Sequence, residues 1–104
     1  MGRKLWVMTE TRPFWVAGKP VSEGTVAQIT HPGDGSVVAS HYVPTATHVE
    51  QAVAAAYAAR RDFQNTSIAQ RAEALVHVSQ TIAARHEELS QLITAENGKP
   101  IMWA

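Results

Sequence analysis

The spacing of apolar residues changes twice along the chain. Phe14-Trp15-Val16-Ala17 is rich in strand formers and is followed by Gly18-Lys19-Pro20, which predicts a short strand closed by a turn. Thr25–Thr30 and Val37–Val43 alternate with a period of two, as half-buried strands do. Between them His31-Pro32-Gly33-Asp34-Gly35-Ser36 collects residues that fix or invert φ, so the two runs predict an antiparallel hairpin with a loop longer than the tight two-residue kind. Pro44 ends the second strand because it has no N–H for a ladder bond.

After Pro44 the period becomes helical. Thr47-His48-Val49-Glu50 has the form of a capping box and predicts a helix over residues 48–64, with Val49, Ala52, Val53, Ala56 and Phe63 on one stripe. Arg60 interrupts that stripe; either its stem packs while its head reaches solvent, or it meets a carboxylate. Ser67-Ile68-Ala69-Gln70 is a second capping box and opens a helix over residues 68–97. Ile68, Ala72, Leu75, Ile82 and Ala83 form its face, and the face drifts near His86, which predicts a kink or restart at Arg85-His86-Glu87 without any Gly or Pro to force it. Gly98 suits a left-handed residue after a helix and Pro100 forbids continuation. Residues 1–13 show neither period and read as a partly ordered leader.

With 104 residues the chain is long enough for one small domain, which would bury roughly 65% of its unfolded surface. Nine basic and nine acidic side chains cancel, leaving no electrostatic footprint for nucleic acid or an anionic membrane. The apolar run Leu5-Trp6-Val7-Met8 is too short for a signal-peptide core, Trp6 stands where a myristoylation signal wants Ser or Thr, and no run approaches a membrane span. These features predict a soluble cytoplasmic protein.

Candidate chemistry is sparse. The chain has no cysteine, which excludes disulfides, thiolate metal sites and a cysteine nucleophile. His31, His41, His48, His77 and His86 include no pair three or four apart, the spacing of helical metal ligands. Asn65-Thr66-Ser67 matches a glycosylation sequon, but Ser67 is better used as a cap. Gly33-Asp34-Gly35 leads from strand to strand, so no helix N-terminus faces a phosphate there. Glu87 and Glu88 point about 100° apart on a helix and read as a solvated face, not as an acid–base pair. Trp6, Trp15 and Trp103 lie too far apart in sequence to define a stacking platform.

Taken in order, the short motifs resemble the N-terminal part of the NAD(P)-dependent aldehyde dehydrogenase superfamily, over about residues 14–104. Phe14-Trp15-Val16-Ala17-Gly18-Lys19-Pro20 is similar to that family's first strand and turn, and Ile29–Ala39 to its Asn-Pro-x-x-Gly hairpin, with His31 in place of the usual Asn. Val49–Ala59 resembles its Ala-Val-x-x-Ala helix, Ser67–Ala72 the start of the next, and Glu96-Asn97-Gly98-Lys99-Pro100 its Asp/Glu-x-Gly-Lys-Pro. Arg60 and Phe63 depart from the aromatic and Trp positions usual there, which bears on the subfamily.

The resemblance implies an α/β fold, the start of a Rossmann-like cofactor domain, with short antiparallel strands (residues 14–43) followed by two or three helices. It implies an enzyme that oxidises an aldehyde to an acid with NAD or NADP, through a cysteine thiolate and a glutamate that activates water. None of those positions falls in these residues, so the chain alone is expected to bind no cofactor and to be inactive. Its partner is then the remainder of the parent enzyme or another subunit, in a homo-oligomer. Some family members hold a structural monovalent cation at positions that correspond here to the Ile29 and Thr30 carbonyls and Glu96. The competing reading is a free-standing noncatalytic domain with a structural or protein-interaction role.

Overall fold

The structure, a computed structural model, describes residues 10–104. The readings that rest on Leu5–Met8 and Trp6 lie outside them. Five strands are followed by three α-helices and a 3-10 turn: β1 Thr11–Arg12, β2 Phe14–Val16, β3 Lys19–Val21, β4 Val26–Thr30, β5 Val37–Tyr42, α1 Ala46–Gln64, α2 Ile68–Ala84, α3 His86–Asn97 and the turn Ile101–Trp103. Two small sheets and three helices make an α/β arrangement, as expected.

Two corrections concern the first strands. Thr11–Arg12 is not leader but pairs in parallel with β5, Thr11 opposite Ser40 and Arg12 opposite His41, so the three-stranded sheet runs β1-β5-β4. A strand of two residues is too short to show a period. Lys19 and Pro20 are not turn residues either: β3 pairs with β2, Pro20 opposite Trp15, and only Ala17 and Gly18 connect them. Both connecting residues have positive φ, 52° and 76°, the backbone of a type I′ hairpin. In a two-stranded ribbon every strand is an edge, which is why Pro20 is tolerated.

The β4–β5 hairpin forms as predicted, with one irregularity. Ile29 pairs with Ala39 and Thr30 with Val37, leaving Val38 as a bulge. Because of this bulge the alternation expected along Val37–Val43 breaks, and consecutive residues Val38 and Ala39 are both buried, at 2% and 5% exposure. The loop is tied internally: His31 N–H donates to Ser36 O and Gly35 N–H to His31 O, each at 2.8 Å, while Asp34 Oδ1 accepts from Ser36 N at 2.9 Å and Ser36 Oγ at 2.6 Å.

Helix α1 starts earlier than its sequence suggests. Thr45, extended at φ −87°, ψ 170°, is the N-cap, and the reciprocal partner is His48, not Glu50. The competing motif at Thr47 loses because the His48 ring is held by β2, edge-on to Phe14 with ring centroids 4.9 Å apart. Helix α2 is capped as predicted, Ser67 Oγ accepting from Gln70 N at 3.1 Å and Gln70 Oε1 from Ser67 N at 2.9 Å. The predicted break falls at Arg85 (φ −105°, ψ 17°), which ends α2 and precedes α3. Gly98 takes the left-handed conformation at φ 77° and its N–H donates to Thr94 O at 2.9 Å.

The core is small. Among the described residues the buried apolar side chains are Val38, Ala39 and Ala95, with Ser90 the buried polar one. The chain exposes 8340 Å², against about 5,700 Å² for a folded monomer of this mass and about 16,400 Å² for the unfolded chain. About half the unfolded surface is buried, not the roughly 65% expected of a self-sufficient domain.

Candidate functional site

Three places in the molecule carry features that could serve function: the cleft where α3 ends, the junction of α2 with α3, and the outer faces of α1 and α2.

At the first, a cleft of about 260 Å³ is lined by His31 from the hairpin loop, Gln91, Thr94 and Ala95 from α3, and Ile101 from the terminal turn. Thr94 Oγ1 is buried there without a hydrogen-bond partner among the described residues. Sequence reasoning gave no sign of Gln91, Thr94 or Ile101, because the cleft arises from two segments about 60 residues apart that meet only in the fold. The meeting is close: a Cβ on Gly98 would stand 2.9 Å from Pro32 Cγ. Of the positions named for a cation, Ile29 and Thr30 lie at the end of β4 beside the bulge, and Glu96 is exposed in the last turn of α3. Thr30 is two residues from Pro32 and Glu96 two from Gly98, so both chain segments run into the same contact.

At the second, Arg85 grips Glu88 in a fork, Nε to Oε2 at 2.9 Å and Nη2 to Oε1 at 2.5 Å. These hydrogen bonds hold the Glu88 carboxyl below the usual carboxylate range; slight burial opposes them, and the positive charges of Arg85 and Arg12 add to them. The same fork raises Arg85 above its ordinary value. Glu88 is therefore an ion-paired helix-start residue and not merely solvated, while Glu87 accepts from Gln91 Nε2 at 2.7 Å. Neither arrangement presents a free acid and base to a substrate. Among the described residues no group of three His, Cys, Asp or Glu side chains could hold a metal ion.

The third is the most extensive. Val49, Val53, Tyr57 and Phe63 recur at helical spacing on α1, and Ile68, Leu75, Val76 and Ile82 on α2, yet all are exposed. Ile68 is 79% exposed, Leu75 71% and Tyr57 70%. Arg60 takes neither course expected of it; its guanidinium lies 4.9 Å over the Tyr57 ring, a cation–π contact on an exposed face. Amphipathic helices are stabilised chiefly by packing of the apolar face, and here these apolar side chains are left largely exposed. Arg71 is the exception on α2, half-buried and donating from Nη1 to Thr66 O at 2.5 Å. Among the described residues no helix is long and apolar enough to cross a membrane.

Comparison with known proteins finds relatives much longer than this chain. The sequence profile described as the aldehyde dehydrogenase family matches residues 15–104. A betaine aldehyde dehydrogenase of Rhizobium etli (strain CIAT 652) is 36% identical over 80 residues, 77% of this chain and 16% of the relative. A betaine aldehyde dehydrogenase of Cereibacter sphaeroides (strain ATCC 17025 / ATH 2.4.3) is 34% identical over 89 residues, 84% of this chain and 18% of the relative. Malonate-semialdehyde dehydrogenase 2 of Bacillus cereus is 39% identical over 71 residues, 68% of this chain and 14% of the relative. The chain thus spans about one sixth of the length of these curated relatives.

Proposed function

Because this chain belongs to the aldehyde dehydrogenase family, we propose that it serves as the N-terminal segment of an NAD(P)-dependent aldehyde dehydrogenase, with the faces of α1 and α2 packed against the rest of that enzyme's cofactor domain. The observation that carries this reading is the exposed apolar stripe on both helices, in a segment that the family's sequence profile matches over residues 15–104. The enzyme oxidises an aldehyde to a carboxylic acid, works as a cytoplasmic homo-oligomer and uses NAD or NADP. These 104 residues contain no cysteine, so the thiolate that attacks the aldehyde comes from elsewhere. Their part is to close the domain, not to touch the substrate.

The Ile29 and Thr30 carbonyls and the Glu96 carboxylate are hard oxygen donors, suited to a monovalent cation. The contact between Pro32 and Gly98 supports this assignment, since it draws the two donor segments together. The cation would clamp the hairpin to the end of α3 and take no part in the chemistry. Replacing sodium or potassium by choline should lower the melting temperature of the wild type and leave Glu96→Gln unchanged; equal response of both proteins would remove the assignment.

Grafting tests the main reading. Residues 15–104 replace the matching segment of the Rhizobium etli betaine aldehyde dehydrogenase, and NAD(P)+ reduction with aldehyde is followed. The chimera should be soluble and active and the chain alone inactive. A chimera that fails to assemble, together with an isolated chain that is a cooperative monomer, would favour the free-standing interaction domain.

A further inference from the structure

We propose that His48 is a proton-operated cap on α1. Its neutral ring completes the capping box and ties the helix to the β3–β4 loop, and a second proton reverses the hydrogen bond at Nδ1 and releases the Thr45 N–H.

The bond pattern admits one neutral tautomer. Thr45 N–H donates to His48 Nδ1 at 3.0 Å, and a backbone amide can only donate, so Nδ1 carries no proton. His48 Nε2 lies 2.7 Å from Glu23 Oε1, and an ionised carboxylate can only accept, so Nε2 carries it. Thr45 Oγ1 stands 3.0 Å from the same Nδ1 and accepts from His48 N at 3.4 Å. In the neutral ring the hydroxyl can donate to Nδ1. In the imidazolium Nδ1–H donates to that hydroxyl instead, and two donors, Nδ1–H and Thr45 N–H, then face each other.

The charges around the ring give the change a direction. Glu23 from the β3–β4 loop is the ionisable group against it among the described residues. Strand β2 presents the Phe14 ring, and the first turn of α1 contains no acidic residue. An imidazolium is drawn towards Glu23 and repelled by the positive end of the helix. Both effects pull the ring from the cap towards the loop. The contrast lies within the same chain: α2 uses Gln70 at the equivalent position, a side chain with no proton to gain. A histidine there gives α1, which carries one of the uncovered faces, a start that a single proton can change.

The test is amide hydrogen exchange at Thr45 in the full chain at about pH 8 and about pH 5, the two sides of histidine titration, each rate divided by that of His48→Gln at the same pH. The two proteins should agree at the higher pH, and the wild type should exchange about fivefold faster than the variant at the lower, the factor corresponding to one lost cap bond. His48→Ala should leave the amide unprotected at both. An unchanged ratio would overturn the proposal, as would a wild-type Thr45 amide already unprotected at the higher pH, or a His48 ring whose nitrogen shifts place the proton on Nδ1 there.

Discussion

The two ends of this molecule are stabilised in different ways. The hairpin and the end of α3 are held by tertiary contact: a bulge buries Val38 and Ala39, Pro32 meets Gly98, and Ala95 is covered. Helices α1 and α2 are held locally, by the Thr45–His48 and Ser67–Gln70 capping boxes and by their Ala-rich composition, while their apolar faces meet solvent. Local devices of this kind supply about 1 kcal/mol each, which is marginal for an isolated helix of under 20 residues. The sheet side is therefore a finished structure and the helix side an unfinished one.

Substitutions in the two regions should respond oppositely to the presence of the remaining domain. Val38→Ala removes two methyl groups from a side chain that is only 2% exposed and should cost about 2 kcal/mol in urea denaturation, in the chain alone and in the grafted enzyme alike. Leu75→Ala, on an exposed face, should change the isolated chain by no more than about 0.5 kcal/mol. In the grafted enzyme, where the face is covered, it should cost about 2–5 kcal/mol. A Leu75→Ala effect that is the same in both settings would erase the distinction between the regions.

Gly98→Ala tests the finished side from another direction. Its φ of 77° penalises a side chain, and the new methyl would meet Pro32 at 2.9 Å, so a loss of about 2 kcal/mol is expected from strain and displacement together. Ser67→Ala probes the other side. It should remove about 1 kcal/mol and be visible as lost helical ellipticity in the isolated chain, because packing does little to hold α2.

The smallest effect belongs to the Arg85–Glu88 fork that joins the regions. Folding lowers the Glu88 pKa, so its contribution is present above the unfolded-state value and fades as pH falls through the folded-state one. Both side chains are more than half exposed, which keeps the effect small. The difference in melting temperature between wild type and Glu88→Gln should shrink on acidification below about pH 4.5 and disappear at the acid limit; a difference that grows would contradict the fork's role.

How much of this could be read beforehand follows the same division. The His31–Ser36 loop, the Ser67 box, the restart at Arg85 and the Gly98 stop are written in a few adjacent residues, and each formed where expected. What depended on a distant partner was not visible. β1 exists because β5 offers an edge to Thr11 and Arg12. Pro20 joins a strand because Trp15 lies opposite. Thr45 prevails over Thr47 because Phe14 and Glu23 hold the His48 ring. The cleft at Thr94 has no sequence signal at all, since its walls come from the hairpin loop, α3 and the terminal turn.

The central claim is that α1 and α2 present faces made for a partner. Sedimentation velocity of the 104-residue chain over a wide concentration range tests it most directly. The account predicts association that grows with concentration and is suppressed by Val53→Asp with Leu75→Asp, charges placed on the two exposed faces. A chain that stays monomeric at every concentration and unfolds in a single cooperative transition would contradict it.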